Sequence, residues 1–402
     1  MSTTFSSSTG HDLRQGAHTA RWLANGEQAF AALYAAIDGA RQSIRFECYI
    51  IRPEGPAQEL RARLLRALGR GVAVRLLYDA FGSEALPAGF FATLTDAGAE
   101  VRAFSPARSL RFAMRDHRKL FVADERVALL GGFNVGPEYT GDGVSQGWYD
   151  LGLCIEGPIG VQLARGFDAM FALAPMTPRA LRQFRRAVRA ASGDEPAPVA
   201  GPQTVPGAAD ARVTLLQSGL GWPHARLRRA LHHDLAAAVE VRCMAAYFLP
   251  SSRIRRELSA CHARGGRTRL LLAGRTDVRI ARLASQHLYG RLLHGGAELY
   301  EYQPQILHAK LLLLDDVVYV GSCNLDRRSL HINYELLLRL RWPELAAQGR
   351  ALFEAGVARG TAVQRADWGR RGWWQRARES LAYWLVSRVD PLLARRRMRS
   401  LG

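Results

Sequence analysis

Two stretches of the chain carry the same reactive residues at the same spacing. The first reads His117-Arg118-Lys119-Leu120-Phe121-Val122-Ala123-Asp124, followed by Gly131-Gly132-Phe133-Asn134. The second reads His308-Ala309-Lys310-Leu311-Leu312-Leu313-Leu314-Asp315, followed by Gly321-Ser322-Cys323-Asn324. In a strand, residues two apart share a face, so each His projects beside its Lys. A Gly-rich turn then returns an Asn to the same end. An imidazole, an ammonium and an amide from each stretch suit a phosphodiester. One imidazole attacks phosphorus and carries a covalent phosphoryl group, while the other protonates the leaving alcohol and deprotonates the incoming one. Lys119, Lys310, Asn134 and Asn324, with Ser322 and Gly132, are expected to hold the non-bridging oxygens. These donors stand where a cation would, so neither a metal nor a cofactor is called for. Lysine usage makes the pattern specific: Lys119 and Lys310 are the only lysines, and every other basic residue is arginine. A compact ammonium is not interchangeable with a planar guanidinium at a phosphate. A lone His-x-Lys is commonly surface decoration; two copies with matched followers are not.

The elements that must position these groups also repeat. A helix over 27–41 leads into a strand over 43–51, and a helix over 57–68 into a strand over 72–78. In the second half, helices over 225–238 and 252–263 lead into strands over 240–248 and 268–272. Each half then presents its His-x-Lys segment opening a strand pair. The reading is α/β, with two similar lobes, each a mixed sheet flanked by helices, related by a pseudo-two-fold and sharing one site. A Pro- and Gly-rich stretch over 175–211, containing a basic helical segment over 179–189, separates them. The expected division is a first lobe at 15–190, a linker at 191–211, a second lobe at 212–360 and a basic tail at 361–402. One irregularity stands out. Asp124 lies seven positions before Gly131, but Asp315 only six before Gly321, which predicts a displacement of Ser322 and Asn324.

At 402 residues, 48% of them hydrophobic and 23% charged, the chain has the composition of a folded protein large enough for two cores. A formal charge of +19 favours anionic partners, either nucleic acid or an acidic membrane face. The five cysteines are scattered without a CxxC pair, which argues against a disulfide framework or a zinc site and for a reducing compartment. No apolar run is long enough to span a bilayer, and the polar first residues do not read as a signal peptide.

The two motifs match the duplicated HKD motif of the phospholipase D superfamily. The chain resembles the bacterial cardiolipin synthases of that superfamily over roughly residues 22–341, especially the shorter kind without N-terminal transmembrane helices. Phe46-Glu47-Cys48-Tyr49-Ile50, Trp148-Tyr149-Asp150, Tyr247-Phe248-Leu249-Pro250 and the segment after Gly321 carry the likeness. The resemblance implies that Asp150 and Glu335 orient the catalytic imidazoles. It counts Asp124 and Asp315 within the catalytic motif, although they are expected to fix its turns more than to touch phosphate. It favours His117 as nucleophile and His308 as acid/base. The implied reaction joins two phosphatidylglycerols through a phosphatidyl-histidine and releases glycerol. The same motif also serves phospholipase D-type hydrolases and nucleases.

The tail helps to choose among substrates. Trp374, Leu381, Trp384, Leu385 and Arg388 fall near one helical face, and Arg395-Arg396-Arg397 follow. This reads as a helix lying in an anionic membrane interface, against the alternative that its aromatics pack on the domain. No nucleic-acid module is recognisable, so no nucleic-acid partner is expected. The expected partner is an anionic phospholipid, at the cytoplasmic face of a bacterial inner membrane. The sequence carries no signal for oligomeric state.

Overall fold

The computed structural model of the chain describes residues 11–104, 114–175, 212–219 and 224–389. The proposed linker at 191–211, the basic segment at 179–189 and the arginines at 395–397 lie outside them.

The first sheet holds β1 (Leu13–Gln15), β2 (His18–Leu23), β3 (Ser43–Cys48), β4 (Ala73–Asp79), β5 (Glu100–Phe104), β6 (Leu120–Ala123), β7 (Val127–Gly131) and β8 (Gly152–Glu156). Its order is β1-β2-β8-β7-β6-β3-β4-β5, with helices α1 (Gly26–Gly39), α2 (Pro56–Gly69), α3 (Ala92–Asp96) and α4 (Ile159–Leu173). The second sheet holds β9 (Val213–Ser218), β10 (Glu240–Ala245), β11 (Arg267–Ala273), β12 (Glu298–Tyr302), β13 (Lys310–Leu314), β14 (Val317–Gly321), β15 (Glu335–Arg341) and β16 (Gly360–Ala362). It carries α5 (His224–Ala237), α6 (Ser252–Ala263), α7 (Arg279–His294), the short α8 (Arg327–His331) and α9 (Pro343–Val357). Its order, β9-β15-β14-β13-β10-β11-β12-β16, repeats the first sheet from β2 to β5, strand for strand. Among the described residues, β1 at one end and β16 at the other are the only additions. β16 carries the second sheet past the expected boundary at 360, and β1 begins ahead of 15.

Local signals start the helices where the sequence places them. Asn25 caps α1 by accepting the backbone N–H of Gln28 at 2.9 Å, and Ser251 caps α6 through that of Ile254 at 3.3 Å. β13 and β14 are buried throughout, which explains their unbroken apolar runs. Alternation divides each strand between two cores. Leu311 and Leu313 face a central core with Trp22, Leu153, Val320 and Leu338, while Leu312 and Leu314 face an outer core under the second lobe's helices. A third core lies between the first sheet and α1–α2. The central core draws on both sheets and on α4 and α9, so the two lobes bury their inner faces against each other.

Three expectations change. The strands expected over 43–51 and 240–248 stop at Cys48 and Ala245, because the chain beyond them turns to make single bridges, Ile51 with Val135 and Phe248 with Leu325. His117 and His308 lie just ahead of β6 and β13, in extended leads paired to the opposite lobe. The one-residue irregularity is absorbed at the far hairpin. Asp124 and Glu125 both adopt left-handed φ of 53° in the first lobe, where Asp315 alone does so in the second, at 51°. The pairing nearest the site is then the same in both lobes, Leu120 with Leu130 and Leu311 with Val320. Ser322 and Asn324 are not displaced.

After α10 (Arg365–Gly369), α11 (Trp373–Trp384) continues through a wider turn, Leu385–Val389. It packs on α7, with Tyr383 stacked on His287 at 4.6 Å and Glu379 buried against Arg371. Trp373, Trp374, Leu381 and Trp384 project outward, each more than half exposed. Docking and an outward apolar stripe thus coexist on one helix. Among the described residues, no helix is long and apolar enough to cross a membrane.

Candidate active site

The two leads meet between the lobes. His117 N–H donates to the carbonyl of Tyr334 at 3.0 Å, and His308 N–H to that of Tyr149 at 2.8 Å. Tyr334 precedes Glu335, and Tyr149 precedes Asp150. Each bridge therefore delivers a carboxylate from one lobe to the imidazole of the other. Glu335 lies 3.1 Å from His117 Nδ1, and Asp150 lies 2.5 Å from His308 Nδ1. With both Nδ1 atoms held by carboxylates, Nε2 is the ring nitrogen of each that no carboxylate occupies. Both imidazoles line one cleft of about 650 Å³, together with Asn134, Asn324, Tyr49, Tyr139 and Trp148. Tyr49 lies 4.9 Å from the His117 ring, and Tyr139 and Trp148 lie 5.3 and 5.5 Å from that of His308.

The lysines are buried beside them. Lys119 Nζ donates to the carbonyl of His117 at 2.7 Å, and Lys310 Nζ lies 3.0 Å from both ring nitrogens of His308. Burial, then the charge of Lys310, lowers Lys119 to a pKa of about 8. Burial brings Lys310 to about 8 as well, against the pull of Asp150 and Glu335. His117 is lowered to about 4 by burial, with Glu335 opposing and both lysines assisting. His308 is lowered by burial and then by Lys310, against Asp150. Glu335 resists its burial and is lowered, because His117, Lys119 and the Ser322 hydroxyl favour its anion. The lobes thus share one electrostatic site, in which neutral imidazoles stand beside two ammoniums.

The remaining expected residues divide. Asn134 is held by accepting the N–H of Ile50 at 3.0 Å, and its buried Nδ2 has no protein partner. Ser322 and Gly132, expected at the phosphate, lie against the two carboxylates. The Ser322 hydroxyl donates to Glu335 at 2.5 Å and accepts from the N–H of Leu336 at 3.0 Å. A Cβ on Gly132 would collide with the Asp150 carboxylate, so this glycine makes room for it. Asp124 and Asp315, counted within the motif but expected to fix its turns, lie at the far end of the hairpins. Asp124 accepts the N–H groups of Arg41, Gln42 and Ser43, and Asp315 those of Val239 and Glu240. Among the described residues, no group of His, Cys, Asp and Glu could hold a metal ion.

The sequence reading missed a buried ionic group beneath the first motif. Arg118 meets Glu47 at 3.0 Å, both fully buried, and its N–H reaches Asp116 at 3.3 Å. Asp79 accepts the N–H groups of Asp116, Phe81 and Gly82, each at 2.9 Å. Burial raises Asp79 to about 7, and raises Glu47 and Asp116 also. The available signal was a charged residue inside the otherwise apolar run at 46–48.

Repeated lobes sharing a paired His–Lys site are an arrangement of the phospholipase D type. The chain belongs to the family described as "Cardiolipin synthase, PLD-like domain", which matches residues 33–172 and 231–356. It is 33% identical over 335 residues to cardiolipin synthase A of Pseudomonas entomophila, covering 79% of this chain and 64% of that one. It is 30% identical over 358 residues to cardiolipin synthase A of Pseudomonas fluorescens, covering 86% and 70%. The chain thus spans about two-thirds of the length of these relatives. A phosphatidylserine synthase of Haemophilus influenzae shares the fold, with a TM-score of 0.69, 13% identity, and coverage of 93% of this chain and 94% of that one.

Proposed function

We propose that the protein is a peripheral membrane phosphatidyl transferase that makes cardiolipin from two phosphatidylglycerols. The reading rests above all on the crossed pairing, in which each imidazole lines one cleft, is held there by the other lobe's carboxylate and has a buried lysine beside it. His117 Nε2 attacks the phosphorus of the first lipid, and the bond to its glycerol breaks. His308 donates the proton that the departing glycerol takes. A phosphodiester between the ammoniums offsets their charge, so an imidazole lowered in the free site gains affinity for a proton as the lipid binds. The second lipid's hydroxyl then gives its proton to His308 and displaces His117 from phosphorus. Lys119, Lys310 and Asn134 carry the charge of the five-coordinate species. The relatives' names support lipid chemistry, and so does the apolar stripe of α11, whose other side carries Tyr383 and Val386 into the cleft wall. The basic charge favours an anionic bilayer, at the cytoplasmic face of the inner membrane.

The test is incubation of the purified protein with labelled phosphatidylglycerol. Cardiolipin and glycerol in equal amounts are expected. Phosphatidic acid as the main product replaces transfer by hydrolysis, and cleaved DNA without lipid turnover overturns the lipid reading. Trp373→Ser with Trp374→Ser should weaken sedimentation with anionic vesicles. Unchanged sedimentation removes α11 as the docking element.

A further inference from the structure

The groups that serve the reacting phosphorus come in pairs, one from each lobe: His117 and His308, Lys119 and Lys310, Asn134 and Asn324. The cleft also carries cations that do not. Arg115 lies two residues before His117 on the same lead, where the second lobe has Ile306. Its Nη1 donates to the Tyr49 hydroxyl at 2.8 Å, its guanidinium stacks on Phe81 at 4.0 Å, and its buried Nε has no hydrogen-bond partner. Tyr49, whose ring separates Arg115 from His117, corresponds to Ala246. Arg327 and Arg328 also line the cleft, where the first lobe has Pro137 and Glu138. Arg327 donates to the carbonyl of Ser387 at 2.9 Å. Among the described residues, neither Arg115 nor Arg327 meets a carboxylate, whereas Arg52 in the same cleft is paired with Glu138. Asp277 and Asp326 line the same cleft but are engaged by the Tyr247 hydroxyl and the Ser329 N–H, so the two held guanidiniums of Arg115 and Arg327 form a place for an anion.

A feature present once answers to something the reaction uses once. In the proposed transfer that is the acceptor. Its glycerol has the attacking hydroxyl at one end and a phosphate of its own at the other. When the hydroxyl reaches the phosphorus between the imidazoles, that second phosphate lies a short step outward. We propose that Arg115 and Arg327 bind the phosphate of the acceptor lipid and so select a phospholipid over water or a free alcohol. The inference rests on the phosphatidyl-transfer reading. In the step it governs, the acceptor oxygen forms a new bond to phosphorus as the phosphorus–nitrogen bond breaks. The electron pair returns to the imidazole nitrogen, and the hydroxyl proton passes to the other imidazole. Beyond Arg327 the cleft wall continues through Ser387, Val386 and Tyr383 on the tail helix, an apolar path for the acceptor's chains.

Two reactions of the full-length protein separate the acceptor from the donor. Cardiolipin formation needs a lipid acceptor, whereas exchange of labelled glycerol into phosphatidylglycerol uses the same donor and a neutral acceptor. Arg115→Gln, which retains a donor for the Tyr49 hydroxyl, and Arg327→Gln should each lower cardiolipin formation about tenfold or more, through a raised KM for the acceptor. Glycerol exchange should change by less than about threefold, since a neutral acceptor has no phosphate to lose. Thermal melting and vesicle sedimentation, run alongside, show that fold and docking are kept. Equal losses in both reactions overturn the subsite and assign the arginines to the donor phosphate or to packing. Full cardiolipin formation in both variants overturns it as well. A wild-type protein that neither exchanges glycerol nor forms cardiolipin brings down the transfer reading itself, an outcome distinct from either.

Discussion

The two lobes present the same three groups, an imidazole, an ammonium and an amide, on opposite kinds of support. Beneath His117 lie Glu47, Asp79, Asp116 and Arg118; at the matching positions beneath His308 stand Met244, Ala273, Leu307 and Ala309, all part of the central core. The geometry at the motif end is nonetheless shared, down to the strand register. An imidazole–ammonium pair whose ring is oriented by a carboxylate can therefore rest on an apolar support. The ionic group under the first lobe is not required by the motif and must be explained by something particular to that side. A buried ion pair seldom adds net stability over well-packed apolar residues, but breaking one is expensive.

The largest effect tests what the lobes have in common. His117→Ala and His308→Ala should each lower turnover at least about 1,000-fold. If His117 is the nucleophile, rapid quenching with labelled lipid should trap a phosphohistidine in His308→Ala and none in His117→Ala. The reverse pattern exchanges the two roles.

The next tests what they do not share. Arg118→Ala leaves Glu47 and Asp116 buried without their cation and should cost about 3–5 kcal/mol in urea unfolding. Replacing the whole group by its second-lobe counterparts, Glu47→Met, Asp79→Ala, Asp116→Leu and Arg118→Ala together, should return stability to within about 2 kcal/mol of the parent. Turnover should remain at least about tenfold low, because Asp79 no longer fixes the lead to His117 through the Asp116 N–H. A graft with full activity makes the two supports interchangeable.

Titration sharpens the contrast. Lys119 and Lys310 both lose their protons near pH 8, so turnover should fall as pH rises through 8. Stability should move the other way between about 8 and 10.5, where the unfolded chain holds protons that the folded lysines have released. Asp79 belongs to the first lobe alone. Its folded pKa of about 7 lies above the ordinary 3.8, so it favours the folded state at low pH, and that contribution is lost as pH rises from about 4 to 7. Asp79→Asn should abolish this component of a pH–stability curve; an unchanged curve refutes its assignment.

The smallest effect concerns the hairpin turns. Asp124 accepts three backbone N–H groups and Asp315 two, so Asp124→Ala should destabilise somewhat more than Asp315→Ala, each by about 1–2 kcal/mol. Activity per folded molecule should be kept in both. A large loss in kcat would give these aspartates a part in the chemistry.

What the sequence disclosed follows from how local each feature is. Strand period and turn chemistry sufficed to place each His beside its Lys, and the repeat of helix and strand sufficed for two lobes. The partners of the imidazoles are a different matter. Glu335 lies 218 residues from His117, and only the interlobe bridges decide which carboxylate meets which ring. Ser322 and Gly132 were expected at the phosphate, and their contacts with Glu335 and Asp150 come from chain beyond either motif's own turn. Glu47, Asp79, Asp116 and Arg118 are unremarkable as ordinary charged residues. Their meaning appears only when three separate segments are brought beneath one lead. For the tail, periodicity grouped Trp374, Leu381 and Trp384, which project outward, while the alternative of aromatics packed on the domain describes Tyr383, stacked on His287 of α7.

The crossed carboxylates also make the two halves hostages to each other. A half expressed alone would retain a complete His-x-Lys segment, yet its imidazole would lack the anion that orients it. Any substitution that shifts Tyr334 or Tyr149 is therefore felt first by chemistry in the opposite lobe. A repeat joined in this way cannot drift apart one copy at a time, and a chain cut between its lobes should regain activity only when both pieces are present in the same tube.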